Sequence, residues 1–338
     1  MVMDKNAEFI VCGSYGAVFK PGKTKKGREI IPIPNTITKV YFNIVEWFRE
    51  IIRIDIVKRI DPSHDFTPKK YLDEIIKPSE HFTKDDYNKC DKKWNWCETN
   101  YQIIFEDCGI DLYNRDIESL TSEIFLINMI AIFKGLIKLK NNNLVHQDIK
   151  PANLIYNPKT NVIKLVDFGL LSSTKYIYNP ENNYTHYNYI YFPPEYNIFN
   201  MICKNEKIDK RLYDILMENN YLFFMHKYKY NFNNTFLYYE QQNSWREFNC
   251  YIKYIIKNNF DLEYFHSIAD KVDVYMLGLA ILEILFRNKH LKIPGLIHLI
   301  QQMIRLDPED RITIEDATIE FEKIKNDYIK TKEDNNKT

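Results

Sequence analysis

The stretch that most restricts this chain is LVHQDIKPANLIYNPKTNVIKLVDFGLL, residues 144–171. Within it Asp148, Lys150, Asn153 and Asp167 interrupt an otherwise apolar, strand-like run. Ionised carboxylates are costly to bury unless a metal or a strong donor meets them. Two carboxylates and an amide beside a lysine point to a site for a divalent cation and phosphate. A fold for this chain has to give those four side chains a common destination.

With 338 residues, 45% of them apolar, the chain can bury a sizeable core in one large or two coupled domains. Its 46 basic and 46 acidic residues cancel, which speaks against a nucleic-acid binder or a polybasic membrane protein. The start, MVMDKNAEFI, lacks a basic stretch followed by an apolar one, so no secretory leader is expected. The most apolar segment, 272–286, carries Asp273 and Glu283 and is too short to cross a bilayer; it reads as a buried helix. Six cysteines, at 12, 90, 97, 108, 203 and 250, include no C-x-x-C pair. Free thiols in a reducing compartment are therefore expected, with neither a disulfide framework nor a zinc site.

Residues 9–42 alternate apolar and polar in strand fashion and are broken by Gly13, Gly16, Gly22 and Gly27, which predicts a small antiparallel sheet. NIVEWFREIIRIDIVKRI (43–60) has helical spacing and stops before Asp61-Pro62. Residues 61–98 are polar with few apolar anchors and are expected to form an extended surface insertion. YQIIFEDCG (101–109) reads as a strand ending in a turn, and 117–141 as an amphipathic helix. After 171 the chain is rich in Tyr and Asn, with a second irregular, aromatic-rich insertion at about 197–265. Helical patterning returns at 270–287, 294–305 and 313–328, and the polar end, 329–338, is expected to fray. Sheet with one helix, then mostly helices, predicts an α+β protein of two lobes, 1–108 and 109–328.

The opening stretch contains H-x-D-x-K-x-x-N, and D-F-G begins fourteen residues after Asn153. In these motifs, and in others in the same order over most of 9–325, the chain resembles the eukaryotic-type protein kinases. The resemblance implies a bilobal kinase-like fold, with a small antiparallel-sheet N-lobe carrying one helix and a larger, mainly helical C-lobe. It also implies ATP and Mg2+ as cofactors. Phosphoryl transfer needs placement and charge neutralisation more than covalent chemistry. Asp148 matches the aspartate that orients the acceptor hydroxyl, and Lys150 the lysine that balances phosphate charge. Asn153 and Asp167 match the two magnesium-holding residues, hard oxygen ligands for an ion that keeps part of its water shell. The plain alternative is a turn-rich loop with helix caps, which D-F-G at this spacing outweighs.

IVCGSYGAVFK (10–20) is similar to the glycine-rich loop that covers the nucleotide, through Ile10, Val11, Gly13, Gly16 and Val18. Val11 stands where the first glycine is usual, and alone the segment reads equally well as an ordinary hairpin. TITKVYF (36–42) resembles the strand whose lysine grips the α- and β-phosphates, here Lys39, with Ile37 in place of a small alanine over the adenine. FREIIRIDIVKRI (48–60) resembles the regulatory helix; Glu50 is the expected partner of Lys39, with Glu46 competing. IIFEDCGIDL (103–112) resembles the strand into the hinge, with Phe105 behind the pocket and the backbone of Glu106 and Cys108 on the adenine edge. YFPPEY (191–196) is similar to the A-P-E element, which implies an ion pair between Glu195 and Arg311. DVYMLG (273–278) places Asp273 as the brace of the catalytic loop.

The chain departs from that pattern in four places. Gln147 replaces the arginine that commonly meets a phosphate on the activation segment, so switching by loop phosphorylation is not expected. Asn188 stands where a threonine usually faces Asp148 and Lys150. Glu195 to Asp273 is long and Asp273 to Arg311 short, as if a substrate-side helix were replaced by the insertion. Lys150, in DIKPAN, resembles the Ser/Thr class, which implies protein substrates bearing Ser or Thr. Two rivals remain: a pseudokinase acting as a scaffold, motivated by Val11, Ile37, Gln147 and Asn188, and a small-molecule phosphotransferase. The skewed composition is similar to that of kinases from large DNA viruses, with a cytoplasmic location expected, in a host cell or virion if the source is viral.

Overall fold

Alternation along 8–41 builds five strands: β1 (Glu8–Cys12), β2 (Gly16–Lys20), β3 (Gly22–Lys26), β4 (Glu29–Ile33) and β5 (Thr36–Tyr41). The computed structural model describes residues 8–12, 16–26, 29–77, 81–82, 85, 89–90, 100–114, 117–178, 191–203, 250 and 262–335. The expectations for Gly13, Asn188 and most of the insertion at 197–265 lie outside these. The chain divides into two compact units, Met1–Gly109 and Ile110–Thr338, one residue past the expected boundary.

In the first unit, β1, β2 and β5 join β7 (Asn100–Glu106) and β6 (Lys70–Ile76) in an antiparallel sheet of order β1-β2-β5-β7-β6. Strand alternation gives each face its own core. Ala17, Phe19 and Val40 lie on one face with Ile76, Phe82 and Cys90. Tyr41, Ile103 and Phe105 lie on the other, against Ile54 and Trp47 of helix α1 (Ile44–Ile60). The Asn43 carboxamide caps α1 by accepting from the Val45 amide at 2.7 Å.

Two expectations fail here. The region 61–98 is not wholly a surface insertion: β6 pairs with β7 from Lys70↔Phe105 to Ile76↔Asn100. Its polar composition reflects an edge strand, with Tyr71 and Ile75 exposed and Ile76 buried. The second is the thiol expectation: Cys12, at the end of β1, is disulfide-bonded to Cys90, 78 residues on. Both pack on the Phe19–Phe82 face, a proximity made by the sheet and invisible in local spacing. Cys108 (buried) and Cys250 (exposed) are not disulfide-bonded.

The second unit is mainly helical: α2 (Ser122–Asn141), α3 (Thr174–Ile177), α4 (Pro194–Cys203), α5 (Leu262–Ser267), α6 (Lys271–Arg287), α7 (Leu296–Met303) and α8 (Ile314–Asn335). α6 is apolar nearly all round and buried, as such a helix must be. Phe133 of α2 stacks on Phe321 of α8 at 4.5 Å. α8 continues to Asn335, past the expected end at 328. The polar stretch lacks Gly or Pro to stop it, and Lys332 pairs with Glu123 at the start of α2. Among the described residues no helix is long and apolar enough to cross a membrane. Among the described residues the unit also has two short sheets, β8 (Ile110–Asp111) with β10 (Leu154–Asn157) and β11 (Val162–Leu165), and β9 (Leu144–Val145) with β12 (Ser172–Ser173).

Candidate active site

The segment 144–173 leaves β9, turns through Pro151–Asn153, makes the β10–β11 hairpin and returns through Phe168–Leu170 to β12, which pairs back on β9. This circuit brings 146–153 beside 166–170. The Val166 amide donates to the Asn153 carbonyl at 2.9 Å, so the residue before Asp167 is bonded to the residue that ends the catalytic turn. Asp148 is buried at its base. Both its carboxylate oxygens accept from Lys150 Nζ, at 3.0 and 2.8 Å. The Asn153 amide donates to the Asp148 carbonyl at 2.7 Å and to its Oδ2 at 2.8 Å.

Behind this loop, Asp273 on α6 accepts from the His146 amide at 2.7 Å and the Gln147 amide at 3.0 Å. Burial pushes its carboxyl up to about 7, even against those two hydrogen bonds. Burial also holds the His146 imidazole down to about 4, outweighing the pull of the Asp148 and Asp167 carboxylates. Its Nδ1 accepts the Asp148 amide at 3.2 Å, and its ring meets Phe168 edge-on at 4.8 Å. Gln147 and Asp167 have φ of 67° and 63°. Left-handed backbone in such residues costs about 1–3 kcal/mol and gathers at functional sites.

The donor set suits a magnesium–nucleotide complex. Asn153 gives its NH2 to Asp148, so its Oδ1 is the atom it could offer a cation. Among the described residues no group of three or more His, Cys, Asp or Glu forms a cage. Magnesium is usually bound by one or two protein oxygens, with substrate phosphates and water completing the shell.

In the first unit, Lys39 of β5 donates to both Glu50 oxygens on α1, at 3.1 and 2.9 Å. Glu46, the competing partner, pairs with Arg49 instead. Val11 pairs with Val18 across β1–β2, and Ile10 and Val11 are exposed. Gly16 has a packing reason of its own: a Cβ there would lie 2.3 Å from the Val40 carbonyl oxygen. At the end of β7 the Glu106 amide donates to the Lys69 carbonyl, so the role expected of Glu106 falls to its carbonyl. Cys108 is buried, with its Sγ 3.4 Å from Glu106 Oε1.

Glu195 and Arg311 form a bidentate pair at 2.6 and 3.1 Å, both side chains fully buried. Sequence reasoning passed over Tyr196, the next residue, whose hydroxyl donates to Gln147 Oε1 at 2.6 Å. The departure at 147 was its one signal.

A family model for the protein kinase domain matches residues 72–320, a span that begins after Lys39 and Glu50. The chain is 26% identical over 160 residues to "Mitogen-activated protein kinase 4" of Arabidopsis thaliana, covering 47% of this chain and 37% of that protein. It is 26% identical over 181 residues to "Probable serine/threonine-protein kinase yakA" of Dictyostelium discoideum, covering 51% of this chain and 11% of that protein. The chain thus spans well under half the length of these relatives.

Proposed function

The chain belongs to the protein kinase family, and from that premise we propose that it transfers the γ-phosphate of Mg-ATP to serine or threonine of a protein substrate. The observation that carries the proposal is the buried Asp148–Lys150–Asn153 cluster, bonded through Asn153 to the backbone leading into Asp167. In this reading Asp148 orients the acceptor hydroxyl and takes its proton as the bond to phosphorus forms. Lys150, already bonded to Asp148, reaches the transferring phosphoryl and balances the charge that spreads over its oxygens. Asn153 and Asp167 would hold the magnesium, which supplies charge neutralisation at the phosphates. Lys39, fixed by Glu50, would hold the α- and β-phosphates, and the Glu106 carbonyl and Cys108 amide would meet the adenine edge. The Ser/Thr assignment is supported by Lys150 and by the names of the two relatives.

Transfer of label from γ-labelled ATP to a generic protein substrate, with phosphoamino-acid analysis, tests this. Asp148→Asn is expected to lower kcat roughly 10²- to 10⁴-fold while nucleotide binding persists. Unchanged transfer in that variant would refute the assignment. Nucleotide binding with no transfer by the wild type would leave the scaffold reading in its place.

A further inference from the structure

β1 is the least anchored strand of its sheet. It lies at one end of the strand order, none of its five residues is buried, and its pairing with β2 slips between Phe9 and Val11. A strand with so little buried surface is where local opening begins. Its last residue, Cys12, is nevertheless bonded covalently to Cys90, in the connection between β6 and β7. The tie sits one residue from Val11, which pairs with Val18, and Val18 pairs in turn with Lys39.

We propose that Cys12 and Cys90 form a reversible thiol–disulfide switch on nucleotide binding. Closed, the bond pins β1 and tightens binding; opened by a dithiol, it frees β1 and weakens binding. The proposal rests on the kinase reading, in which this hairpin covers the nucleotide, and adds a control to it.

The Cys90 side is held in place without the bond. Phe82 stacks on Phe19 of β2 at 4.1 Å, and the buried Lys23 of β3 donates to the His81 carbonyl at 3.1 Å. Cys90 itself is 6% exposed and packs in one core with Phe19, Val40, Ile76 and Phe82. Reduction therefore leaves Cys90 docked, beside the strand that carries Cys12. Two thiols kept close by an intact fold re-form their bond far more readily than thiols meeting from solution.

Cys12 is half-buried and is the more accessible sulfur. A dithiol attacks its Sγ; the S–S bond breaks, and Cys90 leaves as a thiolate and takes up a proton. The second thiol of the reductant then displaces Cys12 from the mixed disulfide. Two electrons and two protons pass to the protein, and the reductant departs as a cyclic disulfide. A disulfide oxidant closes the pair again by the same exchange. Ordering a free strand on binding draws on the binding energy, and a strand already pinned spares that cost.

The full chain, first oxidised and then reduced with dithiothreitol, tests the switch. Alkylation with peptide mass mapping reports the state of Cys12 and Cys90, titration with Mg-ADP reports affinity, and amide exchange follows 8–12. Reduction is expected to weaken Mg-ADP binding roughly 3- to 10-fold. Exchange at 8–12 quickens while β5 and β7 keep their protection, and oxidised glutathione reverses both changes. Cys90→Ser is expected to bind as the reduced wild type does, with or without the dithiol. Phe82→Leu, which loosens the docked side, slows re-formation of the bond and leaves the affinity of the oxidised form unchanged. Equal or tighter binding after reduction overturns the proposal, as does a dithiol effect that persists in Cys90→Ser. A bond that never forms, that opens only on unfolding, or that oxidised glutathione cannot close overturns it too. Mg-ADP bound by neither form overturns the kinase reading, and the switch with it.

Discussion

Asp273 and His146 are buried within one hydrogen-bond step of each other, and burial moves their proton affinities in opposite directions. His146, held near 4 against 6.5 when unfolded, contributes stability that is present above pH 6.5 and lost as pH falls toward 4. Asp273, raised to about 7 from 3.8, works the other way: its contribution is full below 3.8 and lost as pH rises through 7. Between pH 4 and 6.5 the two slopes oppose. Asp273→Asn removes one of them, so its stability is expected to fall more steeply on acidification than that of the wild type. Thermal melts across that pH range check this. At this scale the sequence was most informative, because Asp148, Lys150 and Asn153 are near neighbours whose spacing forces their meeting. That Asn153 spends its NH2 on Asp148 needed the folded turn.

Among elements, the tightest constraints lie where two backbones touch or two charges are sealed in. Gly16→Ala places a methyl group against the Val40 carbonyl, so β2 must part from β5. A loss of about 1–3 kcal/mol in denaturant unfolding is expected. In the second unit, Arg311 also donates to the carbonyls of Arg305 and Lys271, so Glu195→Gln leaves its charge buried but still hydrogen-bonded there. Glu195→Gln is expected to cost about 3–5 kcal/mol, and the double change Glu195→Gln with Arg311→Met less than the sum of the single ones. A double-mutant cycle by chemical unfolding measures it. Helices were legible where an apolar stripe marked them, but their caps at Asn43 and Thr121 were not, and α2 begins at Ser122 instead of the expected 117. β6 was not legible. Its solvent face is mixed and its partner is β7, so only the pairing register reveals it. The α8 overrun had a similar cause: polarity resembles fraying, yet nothing in 329–335 stops a helix.

For the molecule as a whole, the order of elements predicted an α+β chain, and the motifs around Asp148 and Asp167 carried the resemblance to the kinase family. What spacing could not foretell was the covalent tie within the first unit. Cys12 and Cys90 are far apart in sequence, and each alone resembles the other four cysteines. The bond closes a long stretch, so reduction is expected to lower the stability of this unit by about 2–4 kcal/mol. Melts with and without a dithiol read the effect, and a Cys12→Ser, Cys90→Ser double variant should be indifferent to the additive. The loop closed by that bond contains Lys39 and Glu50, and it begins at the residue just ahead of Gly13. Buffers with and without millimolar thiol therefore hold two covalent forms of this unit, and a kinase assay of the chain compares like with like only within one of them.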